Sequence, residues 1–173
     1  MPKSTSFCYI HGNFYLKNMR KARQEIKDEK VLEEILRGAT ICRMAMMDGD
    51  LPYILPFNYG YREGCIYIHS APEGKKIDLL MKKNHVCFEV EDSMEITKGD
   101  QACDWTSRYR SVVGYGNVEI LSDEASKQLG LEVIMAQHGA PQLIEFNPKN
   151  MKRMVILKLT ITSMTGKESS NWN

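Results

Sequence analysis

Two turn sequences, Asp48-Gly49 and Arg62-Glu63-Gly64, fall inside one run of strand-like residues from Thr40 to Ser70 and fold that run back on itself twice. Gly49 supplies the positive φ that a hairpin turn demands, so a strand over Thr40 to Met47 leads directly into a second from about Pro52 to Tyr61. After the second turn, Cys65 to Ser70 reads as a third strand. Consecutive strands joined this tightly are antiparallel, and every later element has to be fitted around them.

The flanking segments alternate in type. Asp28 caps a predicted helix to Gly38 with Val31, Leu32, Ile35 and Leu36 on its apolar face. The loop Ala71 to Gly74 opens a second helix, Lys75 to Lys83, expected to bury Ile77, Leu80 and Met81. His85 to Glu91 alternates as a fourth strand, with Val86, Phe88 and Val90 on one face. Asp92 to Cys103 is polar and irregular, and a long fifth strand follows from about Ser107 to Ile120, where Gly114 and Gly116 predict a bend, a bulge or a close ligand. Ser122 is the expected cap of a helix to Gln137, stopped by Gly139. The last strand spans Met154 to Thr162, and the residues after Met164 read as a tail. Segments 1–13 and 139–150 are the least patterned.

Six antiparallel strands with flanking helices do not follow the βαβ alternation of a doubly wound sheet, so the expected class is mainly β, a small barrel. The 173 residues suit one domain. With 23 basic and 22 acidic residues the net charge is +1, which gives no general field toward nucleic acid or an anionic membrane. No apolar run reaches the length of a membrane span, and the expected location is the cytoplasm. Cys8, Cys42, Cys65, Cys87 and Cys103 are scattered, without a CxxC pair, and read as reduced thiols. His11, His69, His85 and His138 show no metal-ligand spacing, and no GxSxG elbow is present.

Three stretches carry possible chemistry. His69-Ser70-Ala71-Pro72-Glu73-Gly74-Lys75-Lys76 joins a strand end to a helix start. Free N–H groups, the positive end of the helix dipole, a hydroxyl and two ammonium groups together make a phosphate seat, or else an ordinary basic loop. Arg108 and Arg110 share one strand face, and Tyr109 and Ser111 the other; the plainer reading of that cluster is a charged surface. Pro56 interrupts Tyr53-Ile54-Leu55-Pro56-Phe57-Asn58-Tyr59, leaving backbone groups that a flat heterocycle could use, or simply marking an edge strand.

In order and spacing these stretches resemble the nitroimidazole-resistance branch of the pyridoxamine 5'-phosphate oxidase-like flavoproteins, from about Met19 to Lys167. The matching parts are Met19-Arg20-Lys21, Pro52-Tyr53 through Tyr59, Ile66-Tyr67-Ile68-His69-Ser70-Ala71, Gly74-Lys75-Lys76, Arg108-Tyr109-Arg110-Ser111-Val112 and Thr165-Gly166-Lys167. The resemblance implies an FMN-binding split β-barrel over 19–167, between an extension at 1–18 and a tail at 168–173, working as a homodimer. It implies that Tyr53, Ile54, Leu55, Pro56 and Asn58 lie along the isoalloxazine ring. Ile68, His69, Ser70, Lys75 and Lys76 would approach the ribityl chain and phosphate, with Arg110 and Ser111 reaching across from the partner. His69 and Trp105 would border the open substrate side.

The implied activity is electron or hydride transfer from reduced FMN to a small acceptor such as a nitroaromatic compound, with NAD(P)H as a transient donor because no GxGxxG fingerprint is present. The C-terminal Trp and Arg signature of true pyridoxamine phosphate oxidases is not recognisable, and Trp172 alone does not replace it. The alternatives are a non-catalytic flavin-binding or sensing protein, and a haem protein using His69 or His138.

Overall fold

The computed structural model describes residues 21–140 and 144–169. The expected extension at 1–18, Met19, Arg20, Cys8, His11 and Trp172 lie outside the described residues.

Strand β1 (Glu25–Ile26) precedes α1 (Glu29–Gly38), whose first turn is held by Asp28 accepting a hydrogen bond from the Lys30 N–H at 2.9 Å. Leu32, Ile35 and Leu36 are buried on its inner face. The hairpin of β2 (Ile41–Asp48) and β3 (Leu51–Asn58) turns at Gly49, φ +61°, with Asp48 opposite Leu51.

The predicted second strand ends early. β3 stops at Asn58, and β4 (Gly60–Arg62) leaves it to pair with β5 (Cys65–Ser70) through the Glu63-Gly64 turn. Tyr59 and Gly60 cause the break. The Tyr59 ring is fully buried, and a Cβ on Gly60 would lie 2.5 Å from the Val133 carbonyl oxygen. These contacts with the interior and with a helix backbone draw the chain off one sheet edge and onto the other.

Helix α2 (Lys75–Lys82) buries Ile77, Leu79 and Leu80. The expected Met81 is 76% exposed, because the buried arc closes at Ile77 and Leu79 takes the place assigned to it. Strand β6 (His85–Thr97) runs well past Glu91, with a register shift between Glu91 and Ser93. The segment 92–103, expected to be irregular, is therefore partly strand. Alternation is lost there because the end of β6 is largely exposed and the start of β7 (Thr106–Leu121) paired with it is only partly buried.

The predicted irregularity at the glycine pair is a register shift between Tyr115 and Gly116 against β8 (Val155–Glu168). Helix α3 (Glu124–Gln137) is capped by Asp123, which accepts from the Ser126 N–H at 2.9 Å, and not by Ser122. A short α4 (Pro148–Met151) follows, and the buried Lys127 ammonium donates to the Met151 carbonyl at 2.8 Å. β8 continues through the segment taken as a tail, because β7 and β1 both pair with it as far as Lys167.

Among the described residues there are eight strands, not six, the additions being β1 and β4. The order is β3-β2-β6-β7-β8-β5-β4, with β1 also on β8, and all pairs are antiparallel. The two edge strands, β3 and β4, are separated in sequence by Tyr59 alone. The sheet must curl until its edges meet there, which makes a split β-barrel. Cys42, Met44, Met46, Ile66, Ile68, Phe88, Val90 and Leu157 face its interior, where α1 and α2 add Ile35, Leu36 and Leu80.

Candidate functional site

Beyond Tyr59 the barrel stays open, and the opening is bordered by two of the three stretches singled out in the sequence. One border is the free edge of β3, which pairs only with β2. Opposite it, β5 has β8 on one side throughout but β4 on the other only as far as Tyr67, so Ile68, His69 and Ser70 have an open edge. Gly74 and the start of α2 close the end of this seam.

Pro52 and Pro56 have the same parity on β3 and lack N–H groups, so they fit the ladder where their nitrogens face away from β2. The free edge then offers N–H donors at Ile54 and Asn58 and carbonyl acceptors at Pro52, Ile54, Pro56 and Asn58. Two prolines also blunt this edge against addition of another strand. Side chains split by parity: Ile54, Pro56 and Asn58 are exposed, while Tyr53 and Leu55 are half-buried against the interior. Ile68 is buried and can offer a ligand only its backbone. His69 is exposed at the seam; Ser70 is buried and donates its hydroxyl to the Ala71 carbonyl at 2.9 Å.

Gly74 caps α2 with φ +109° and no side-chain bond; its carbonyl accepts from the Ile77 N–H at 2.8 Å, which leaves the Lys75 and Lys76 N–H groups to a ligand or to water. Lys75 is tied across the end of the seam. Its Nζ lies 2.6 Å from Asp48 Oδ2 at the end of β2, and 4.7 Å from the Tyr53 ring centroid on β3. The hydrogen bond and charge of Asp48 raise the Lys75 pKa further above its ordinary value. Lys76 is half-buried beside it. Asp48 was read in the sequence only as part of a turn, because nothing local signals a partner carried by α2.

Arg110 and Ser111 are not brought to this end of the chain. Their part of β7 pairs with β6 at Ser93 and Glu91, alongside the Cys42 end of β2. Asp48 stands at the opposite end of that strand, about 20 Å away at the usual rise per residue. The two side chains also point to opposite faces. Arg110 turns inward onto a bidentate ion pair with Asp92, the residue in the register shift, while Ser111 shares the outer face with Val113 and Tyr115. Trp105 stands at the far end of the β6–β7 ribbon, half exposed, its indole N–H donating to the Gly99 carbonyl at 3.0 Å under Lys98.

The outer sheet face collects apolar side chains. Ile54, Ala45, Cys87 and Tyr115 lie in register across β3, β2, β6 and β7. Met47, Met94, Ile96 and Val113 extend the same face. Beside the band, His85 stacks on Tyr115 with centroids 6.1 Å apart, and its Nδ1 is 3.0 Å from Asn117 Oδ1.

A separate cleft of about 730 Å³ lies between α1, the β4–β5 hairpin and α3, away from the seam. Its polar groups serve the frame. Gln137 accepts from the Tyr61 N–H and donates to the Leu36 and Ala39 carbonyls, and Arg37 packs on Tyr61 while pairing with Glu33. The cleft therefore presents structural contacts, and the seam is the better candidate site. Among the described residues no three His, Cys, Asp or Glu side chains gather as metal ligands, and no helix is long and apolar enough to cross a membrane.

The sequence profile of the family described as pyridoxamine 5'-phosphate oxidase matches residues 28–168. A candidate 5-nitroimidazole antibiotic resistance protein of Bacteroides thetaiotaomicron superposes with a TM-score of 0.74 at 29% identity, over 83% of this chain and 86% of that one. The flavocytochrome Anf3 of Azotobacter vinelandii gives 0.76 at 19% identity over 88% and 72%. A FAD- and haem-binding protein of Mycobacterium smegmatis gives 0.75 at 18% identity over 86% and 75%. No curated protein matches the sequence.

Proposed function

The chain belongs to the pyridoxamine 5'-phosphate oxidase family, and from that premise we propose that it holds FMN in the seam and passes electrons from the reduced flavin to a small acceptor. Flavin binding is supported at the level of the family. The similarity to a nitroimidazole-resistance protein suggests a nitroaromatic acceptor. One observation carries the reading: the seam sets a proline-bearing free edge beside a helix start with two lysines and no side-chain cap.

The residues present fit the group. The Ile54 and Asn58 N–H groups and neighbouring carbonyls suit the imide edge of a flat heterocycle, and the α2 start with Lys76 suits a phosphate. When bound, the flavin supplies the hydride or two-electron chemistry. The chain's part is to fix ring and phosphate at the two ends of the seam. Exposed His69 borders the ring between them.

A homodimer completes this account. One small barrel leaves the seam open to water, whereas an isologous pair docked through the apolar outer face would cover two equivalent seams. Ser111 on that face and Trp105 on the ribbon would then serve the partner's site, out of reach of their own, and Arg110 would join them by turning out from its ion pair with Asp92. NAD(P)H as a transient donor completes the proposed cycle.

Replacing both Lys75 and Lys76 by Ala tests the assignment. FMN affinity should fall at least tenfold by titration, while riboflavin affinity stays unchanged; an unchanged FMN affinity sinks the phosphate seat.

A further inference from the structure

We infer that Asp48 sets the charge of the phosphate seat, competing with the ligand's phosphate for Lys75 and so weakening the hold on phosphorylated flavins. The inference rests on the reading of the α2 start as that seat.

Lys75 is the first residue of α2, beside the free N–H groups, yet its ammonium is turned onto the Asp48 carboxylate at 2.6 Å and over the Tyr53 ring at 4.7 Å. Asp48 and Tyr53 belong to the two arms of one hairpin, so both contacts draw Lys75 toward β2–β3 and away from the helix axis. The ion pair is about half exposed on both sides, 55% and 45%, and such pairs add little to stability. Its consequence is electrostatic: a carboxylate sits where a phosphate dianion must approach, and one of the two ammonium groups is already neutralised. A half-exposed lysine on a flexible stem can swing to the phosphate, but each binding event then leaves Asp48 unpaired beside a like charge.

The test is Asp48→Asn, which keeps the shape of the side chain and removes its charge. FMN and riboflavin are titrated separately against wild type and variant at low ionic strength. The expected result is FMN binding tightened roughly fivefold, a gain that shrinks with added salt, and riboflavin binding unchanged. Weaker FMN binding would overturn the inference by showing that Asp48 positions Lys75 productively. Equal shifts for both flavins would overturn it by showing a structural role only. A wild-type protein that binds FMN no better than riboflavin would overturn the seat itself, an outcome separate from the other two.

Discussion

The Tyr59 hydroxyl donates a buried hydrogen bond of 2.6 Å to the Leu36 carbonyl, and this contact stands at the single residue between the two edge strands of the barrel. It ties the point where the seam opens to the end of α1. Burial raises the Tyr59 phenol above its ordinary range, which favours the protonated, donating form. Tyr59→Phe removes the donor, but Leu36 O keeps its bond from Gln137 Nε2 at 3.0 Å. The expected cost is therefore about 1 kcal/mol, a drop of roughly 2 to 4 °C in thermal midpoint by calorimetry.

Gly60→Ala should be worse than its size suggests. The new Cβ would meet Val133 O at 2.5 Å and Ile134 N at 2.6 Å, and these are backbone atoms that cannot rotate away. A loss of about 3 kcal/mol is expected in denaturant unfolding. A near-neutral result would show that α3 does not fix the β3 to β4 break.

That break also shows where the sequence was legible. The Gly49 and Glu63-Gly64 turns, the Asp28 cap and the β5 bounds are local chemistry and are legible directly, and the glycine pair marks an irregularity that is a register shift at Gly116, one of the three readings it allowed. The division of β3 from β4 depends on Tyr59 meeting α1 and Gly60 meeting α3, partners distant in sequence. The extended ends of β6 and β8 were missed for a related reason: pairing holds them where little burial imposes alternation. In the site, the stretches at 53–58 and 68–76 do border one seam. The Lys75–Asp48 and Arg110–Asp92 pairs left no local trace, because each joins elements that only the tertiary fold brings together.

Cys42 should behave as an inert core thiol. Burial, with a smaller contribution from the Glu89 charge, pushes it up from 9.0 to about 12. A group that keeps its proton more tightly when folded contributes stability that is intact below pH 9 and lost as the pH rises toward about 12. The slope attributable to Cys42 is about 1.4 kcal/mol per pH unit in that window, read as the difference between wild type and Cys42→Ala. Thiol labelling near neutral pH should modify exposed Cys103 in the native protein and reach Cys42 only after unfolding.

The outer sheet face gives the assembly prediction. Val113→Lys places an ammonium on the outer face opposite Glu89, beside the Arg43–Glu89 ion pair, so the isolated fold should tolerate it. By sedimentation, wild type is expected at twice the chain mass and the variant at the chain mass, with weakened flavin retention. A variant that stays dimeric would move the interface elsewhere.

The most direct test of the central claim is the visible spectrum of the purified protein after incubation with FMN and removal of unbound flavin. Retention of about one FMN per chain, lost in the Lys75→Ala/Lys76→Ala variant, is the predicted result. A protein that retains no flavin, or shows a haem band in its place, would contradict the assignment of the seam.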